Sequence, residues 1–403
     1  CKNRIVIPKI DSDIGIFLYT TKSVGTGGTI KKSNDDFKVK ELLSEKALKT
    51  ISNDTGLSVY TLQKNGIDTS HALRDVEKRF GLVLKSLGLK DASAITEQYV
   101  FTKTISKSLE TIQGKNYVLK RLGFVKKPFS KKDMIGNHFE IKVDNPSRHI
   151  SDFNEYEKIL NFFGYQRFGS KRPITHLVGK AIIQKDYQTA LNLLLNYSSE
   201  YDTEENNANR KIIAERTSEL SVIDKIPKSM DIEITLLKKL SETKDLQIVL
   251  RSIPLQMRRF YIQAYQSYIY NKTLSLAFDY GEELFSAKEG DVCFDRNYIL
   301  GKFQNDPLQK LAIPLVGHSY FKKTRFDFYI QKILEEEEVS INDFFIKDFQ
   351  EISVEGGFRN AVILCNDFET SDNIVKFNLS RGSYATIILR EILKPENPLE
   401  SGF

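Results

Sequence analysis

Asp91 is the acid in this sequence best placed to do chemistry. It sits in GLKDASAITEQ, Gly88 to Gln98, behind a short apolar stretch, LVLKSLGLK, and ahead of Ala92, Ser93 and Ala94. If the apolar stretch is a buried strand, a carboxylate at its end beside residues without bulk is accessible to a ligand. The same carboxylate could instead cap the local turn through a backbone N–H. A second stretch, NFFGYQRFGS from Asn161 to Ser170, packs Phe162, Phe163, Tyr165 and Phe168 beside an amide and an arginine, in a chain without tryptophan. Core packing is one use for such rings. The other is a pocket for a flat ring: stacking tolerates any base, while an amide reads the base edge. SRGSYATIILRE repeats the theme, with Tyr384 behind Gly382 and ahead of a helix start.

Other chemistries lack their residues. GTGG, Gly25 to Gly28, is the one glycine-rich loop. It has neither the lysine-bearing pattern of a P-loop nor the spacing of a dinucleotide site, and reads as a turn before a strand. The five histidines form no metal-binding motif and the three cysteines no C-x-x-C pair, so no metal and no disulfide framework is expected and a reducing cytosol fits. No serine or cysteine sits in a nucleophile elbow. No apolar run reaches the ~18 residues of a membrane span, and the N-terminus lacks a signal-peptide layout. The net charge of +6 permits a nucleic-acid partner only if the basic residues gather on one face. KSLETIQGK and KKPFSKK read as solvated surface.

The elements that must position these residues follow from periodicity. KKSNDDFKVKELL gives a polar turn at Ser33–Asp36, then a strand with Phe37, Val39 and Glu41 on one face. GLSVYTLQKNG is a second strand closed by Asn65-Gly66. DTSHALRDVEKRFG is an amphipathic helix that Thr69 can cap and Gly81 ends. QYVFTKTI, NYVLKRLGF and NHFEIKVD alternate like strands. From Ser151 to about Ser286 the period is helical, the longest helix running from Pro254 toward Gly281, while EENNANRK reads as an exposed loop or helix start. GDVCFDRNYILGK looks like a hairpin and RFDFYIQKILEEEE like a helix. Strands return at FRNAVILC and NIVKFNLS before a last helix, SYATIILREIL. The pattern is α+β, a mainly antiparallel sheet with helices on one face, interrupted by a mainly helical insertion.

KKSNDDFKVKE, GLKDASAITEQ, NFFGYQRFGS, YQSYIYN and SRGSYATIILRE, in this order between Gly28 and Glu391, resemble the TruD family of tRNA pseudouridine synthases, in its archaeal and eukaryotic form. The resemblance implies a pseudouridine-synthase catalytic domain, residues 1–186 and 359–403, interrupted by a TRUD insertion domain at 187–358. It also implies isomerisation of uridine in RNA without cofactor or metal. The N1–C1′ bond breaks, the uracil turns, and a C5–C1′ bond forms. Asp91 matches the nucleophile position, with C1′ and C6 both open as its target. An ionised nucleophile needs a nearby cation. Lys31, which matches a lysine of the first motif, is the first candidate and Arg390 the second. Lys90 points to the opposite side if Asp91 is strand-like.

Asn161 and Phe163 match substrate contacts, Phe163 stacking on the uracil where most other pseudouridine synthases use a tyrosine. A phenyl ring moves no proton, so the C5 proton must leave through another group or a water. Phe37 and Tyr384 match two further contacts. Gln166 and Arg167, with Phe168 and Gly169, are expected to hold the loop. Two small departures occur, Asp68-Thr69 where the family often has Asn-Thr and Ala92-Ser93 where basic residues often follow the acid; Tyr384, where the family has Phe or Tyr, is a mild variation. The expected partner is tRNA, at the family's usual uridine 13, with no membrane and a monomer possible. The same chemistry on another RNA uridine, or an RNA-binding or RNA-folding protein with incidental turnover, are the alternatives.

Overall fold

The computed structural model describes residues 5–105, 109–217 and 220–403; Cys1 lies outside them. In chain order the elements are α1 (Lys9–Asp13), β1 (Phe37–Leu43), α2 (Glu45–Leu48), β2 (Leu57–Asn65), α3 (Thr69–Phe80), β3 (Leu84–Ser86), β4 (Ile95–Thr102), β5 (Thr111–Gln113), β6 (Tyr117–Val125) and β7 (Met134–Lys142). Next come α4 (Thr175–Ile183), α5 (Tyr187–Asn196), α6 (Glu204–Glu215), α7 (Asp231–Glu242), α8 (Leu246–Arg251) and α9 (Leu255–Asp279). The chain continues through β8 (Val292–Phe294), β9 (Leu300–Lys302), β10 (Lys310–Leu315), α10 (Asp327–Glu336), β11 (Gly357–Asn360), β12 (Cys365–Ser371), β13 (Ile374–Ser380) and α11 (Ala385–Leu393).

Two compact units result. The sheet unit comprises residues 21–159, 363–395 and 401–403. Its nine strands run in the order β12-β13-β7-β1-β4-β2-β6-β5, with β3 also on β4. Every described pair is antiparallel except β1 with β4, where Lys38, Val39 and Lys40 lie opposite Ile95, Thr96 and Glu97. Alternation places Tyr60 and Leu62 of β2 under Ala72 and Val76 of α3. Their neighbours Val59 and Phe101 join a second cluster with Ala47 of α2 and Phe129. Adjacent strand residues point to opposite faces, so the sheet is covered on both faces here, not on one as expected.

The helical unit comprises residues 5–20, 160–362 and 396–400 among those described, with a four-stranded sheet in the order β11-β10-β8-β9. The expected insertion, 187–358, lies wholly within it. The unit also takes in 160–186, because α4 approaches α9 at Gly179, where a Cβ would stand 2.0 Å from the Tyr261 carbonyl oxygen. Only a glycine lets two backbones come so near. EENNANRK is helical throughout: Thr203 caps α6 by accepting the Asn206 N–H at 3.1 Å.

Two local expectations change in the sheet unit. Asp68, not Thr69, caps α3 by accepting the His71 N–H at 2.9 Å. Thr69 is fully buried and its hydroxyl lies between the Lys90 N–H and Gln98. The apolar run before Asp91 yields only the short β3, so Asp91 sits in the loop entering β4 rather than at a strand end.

His176 of α4 is buried between Phe168 and Tyr268, with ring centroids 5.2 and 5.0 Å away. Burial pushes its pKa down to about 4 from 6.5, against the pull of the Asp13 carbonyl and the Glu337 charge. The unfolded chain therefore takes up a proton near pH 6.5 that the folded chain refuses until about pH 4. This contribution is fully present above pH 6.5 and is lost as pH falls through that window, in total roughly 3 kcal/mol. Urea titrations of wild type and His176→Phe should diverge in pH dependence across this window, the variant losing less stability on acidification.

Candidate active site

The sheet unit holds Lys31, Phe37, Asp91, Tyr384 and Arg390, and the helical unit holds Asn161, Phe163, Gln166 and Arg167. In the sheet unit, parallel pairing sets the start of β1 beside the start of β4. The loops before those strands carry Lys31 and Asp91. Asp91 is exposed. Lys31 is half-buried at a positive φ of 56° and holds its ammonium 4.7 Å from the Phe37 ring centroid. Burial lowers the Lys31 pKa and the charge of Asp91 opposes that shift, so the two are electrostatic neighbours. Behind Lys31, the Ile30 N–H donates to Ser401 O at 2.9 Å, and Gly402 at φ +93° passes so close that a Cβ would meet Ile30 O at 2.0 Å.

Phe37 is buried, edge-on to Phe139 at 6.2 Å, and Phe139 continues to Phe377 at 5.5 Å. Lys90 turns to the buried Glu41, Nζ to Oε2 3.6 Å. Burial raises the Glu41 pKa and lowers that of Lys90. Tyr384 is half-buried at the N-terminal end of α11, two residues after Gly382 at φ +87°. Arg390 is fully buried in α11, its Nη1 3.3 Å from Glu391. Glu391 also accepts from the Thr21 N–H and hydroxyl at 3.2 and 2.7 Å. The cations whose charge acts on Asp91 include Lys31, Lys64 and Lys90.

Sequence reasoning missed Lys64. It is 2% exposed at the end of β2, in phase with the core residues Tyr60 and Leu62. A lysine where alternation calls for an apolar side chain was the available signal.

In the helical unit, all four rings of the aromatic stretch are buried, Phe163 included. Phe162, Tyr165 and Phe168 are fully buried, and the Tyr165 hydroxyl donates to buried Asp11 at 2.6 Å. Gly169, at φ +97° and with Arg172 O 2.4 Å from where a Cβ would stand, closes the turn. The Phe163 N–H donates to Asn271 Oδ1 at 2.9 Å, and Asn271 Nδ2 donates back to Phe163 O at 3.1 Å. Arg167 donates from Nε to the Ser267 hydroxyl at 3.0 Å and lies 5.2 Å from the Phe163 centroid. Gln166 is half-buried on the same turn.

Arg359, at the end of β11, is a second residue the sequence reading passed over. Its guanidinium carbon is 4.0 Å from the Phe163 centroid, and it donates to Asn161 O at 3.2 Å and Asn161 Oδ1 at 2.9 Å. Asn161 Nδ2 donates to Asn360 O at 3.0 Å. A carboxamide has two donor hydrogens and two oxygen lone pairs, so these bonds account for one of each in the buried Asn161. Arg359 thus fixes the amide and the ring together.

A family model for tRNA pseudouridine synthase D (TruD) matches residues 13–392. The chain belongs to the TruD family. It is accordingly a pseudouridine synthase, an isomerase. Among its relatives, a chain named as tRNA pseudouridine synthase D from Archaeoglobus fulgidus is 31% identical, over 96% of this chain and 100% of the relative. One from Pyrobaculum islandicum is 29% identical over 99% and 100%. A crystal structure of a TruD protein from Methanosarcina mazei superposes with a TM-score of 0.78 at 28% identity, covering 98% of this chain and 99% of that one. No described helix is long and apolar enough to cross a membrane.

Replacing Arg359 tests the coupling of Asn161 to Phe163. Losing hydrogen bonds to a charged donor typically costs ~1.5–3 kcal/mol. Arg359→Ala should lower the urea midpoint accordingly. Arg359→Lys should recover less than half of the loss, because an ammonium cannot reproduce the planar fork.

Proposed function

We propose that this TruD enzyme isomerises uridine 13 of tRNA, with the Asp91 carboxylate as covalent nucleophile. The observation that carries the reading is the exposed Asp91 loop beside the Lys31 ammonium and the Phe37 ring. Attack requires the carboxylate, and the neighbouring Lys31 ammonium supplies a compensating positive charge. Asp91 bonds to C1′ or C6 of the extruded nucleoside. The N1–C1′ bond breaks, the uracil turns, C5 bonds to C1′ as the carboxylate leaves, and the C5 proton is then lost to another group or a water while N1 takes up a proton. Phe37 supplies a ring for the base, worth ~1–3 kcal/mol per stack against an unstacking cost of a few. Tyr384 contributes a further contact, and the family resemblance assigns Asn161 and Phe163 of the helical unit to substrate binding.

Residues 187–358 form the TRUD insertion in this reading, and Gln166 and Arg167 support the loop that bears Phe163. Lysine and arginine contacts to phosphates supply much of the affinity for tRNA.

Tritium release from uridine labelled at C5 in unmodified tRNA, followed by mapping of the altered nucleotide, tests both reaction and site. Wild type should release one tritium per tRNA with the change at position 13. Asp91→Ala should lose release by at least about 10⁴-fold, as expected for removal of a covalent nucleophile, while retaining tRNA affinity. Undiminished turnover by Asp91→Ala would exclude the carboxylate, and a change mapped elsewhere would exclude uridine 13.

A further inference from the structure

We propose that Lys64 is a positioning residue for the isomerisation: its ammonium clamps the backbone of the loop that presents Asp91. The inference rests on Asp91 being the nucleophile, and it assigns a role to a side chain that does not touch the reacting atoms. Lys64 Nζ donates to Ile67 O at 2.9 Å, Lys90 O at 3.0 Å and Asp91 O at 2.8 Å. An ammonium has three hydrogens, and each has a carbonyl. The three acceptors come from the turn after β2 and from the loop before β4, so one side chain ties the two segments together.

The other anchors of that loop hold its flanks. Gly88 O accepts from Gln98 Nε2 at 2.8 Å, and the Lys90 N–H donates to the Thr69 hydroxyl at 2.9 Å. Ala92 O receives a longer contact, 3.4 Å, from Asn34 Nδ2. Lys64 alone among these grips the carbonyl of Asp91 itself. A lysine buried against carbonyls rather than a carboxylate keeps the cost of desolvation without a partner's full charge. Such a cost at an inward strand position is understandable where the geometry it enforces is needed for turnover.

The ionisation of Lys64 supports the same role. Burial brings its pKa down to about 8, opposed by the charges of Asp68 and Asp91 and assisted by Lys90. Asp68 is itself paired with His71 at 2.5 Å. Across the sheet Lys64 faces Thr96 on β4 and Tyr117 on β6, and Tyr117, with a pKa raised to about 12, stays neutral in this range. A neutral amine has two hydrogens for three carbonyls and turns a lone pair toward the third. The clamp is therefore complete below about pH 8 and opens above it.

The test uses the full chain and unmodified tRNA in single-turnover reactions between about pH 6 and about pH 9, with tRNA affinity and thermal midpoint measured in parallel. Lys64→Met should slow the chemical step by at least about tenfold, the worth of one charge-assisted hydrogen bond, with tRNA affinity changed by less than about threefold. The wild-type rate should fall as pH passes about 8, and that fall should be absent from Lys64→Met. If it persists unchanged in the variant it belongs to another group, Lys31 included, and the clamp is refuted. A wild-type rate in Lys64→Met refutes it too. Should Lys64→Met not fold, Lys64→Arg decides: a permanent charge keeps a reduced rate but removes the alkaline fall if the clamp is right, and retains the fall if it is wrong. Asp91→Ala is run alongside. Activity in Asp91→Ala defeats the underlying nucleophile assignment, whereas its inactivity combined with an unaffected Lys64→Met defeats the clamp alone.

Discussion

Parallel pairing of β1 with β4 is the constraint on which the juxtaposition of Lys31 and Asp91 depends. Two parallel strands begin at the same end of a sheet, so the segments that lead into them emerge side by side. One carries Lys31 and the other Asp91. Had β4 run the other way, the residue beside the start of β1 would lie at its far end, roughly 23 Å off at ~3.3 Å per residue. The intervening β2 is antiparallel to β4 with Asn65 opposite Ile95, so β2 finishes where the other two start. Three strand ends therefore meet at one end of the sheet, and each delivers a lysine or an aspartate there. A parallel pair needs a long crossover; here α2, β2, α3 and β3 form it, and Thr69 of that crossover is bonded to the Asp91 loop.

Cations near rings and backbone recur in both units, and each is held differently. Lys31 rests on Phe37, Lys90 on the carboxylate of Glu41, and Lys64 on carbonyl oxygens. In the helical unit Arg359 lies against Phe163 while gripping Asn161. An arginine over a ring gains from the negative ring face and keeps its fork for the amide. Burial lowers the affinity of all three lysines for their protons, and the acids Asp91, Asp68 and Glu41 counter that tendency.

Much of this was legible in the sequence because local patterns decide it. The strand bearing Phe37, Val39 and Glu41, the Asn65-Gly66 turn, the Gly81 stop of α3 and the span of α9 all follow period and punctuation. The α6 helix was harder to see, since its polar face outweighs the few residues it buries, Asn209 and Arg210 among them. The Asp91 region misled because an apolar run looks like a strand until long-range pairing shortens it. Thr69 and Asp68 compete for one cap, and only the buried hydroxyl's ties to Lys90 and Gln98 decide between them. Arg359 could not be found at all from its neighbours: its partner Asn161 is 198 residues away, and FRNAVILC reads as strand with or without it. Residues 160–186 join the helical unit through the close approach at Gly179 and through bonds such as those of Phe163 to Asn271 and Arg167 to Ser267, tertiary facts without local trace.

Lys31 occupies a left-handed backbone conformation that costs an L-residue with a side chain ~1 kcal/mol or more. Glycine or asparagine would sit there with less strain, and either would discard the ammonium. Backbone preference and electrostatics thus pull this position in opposite directions. Random drift, acting through folding stability alone, would carry it away from lysine. With Lys31 in the role proposed for it, a chain that had lost its catalytic task would be expected to betray that loss here early, well before its core began to erode.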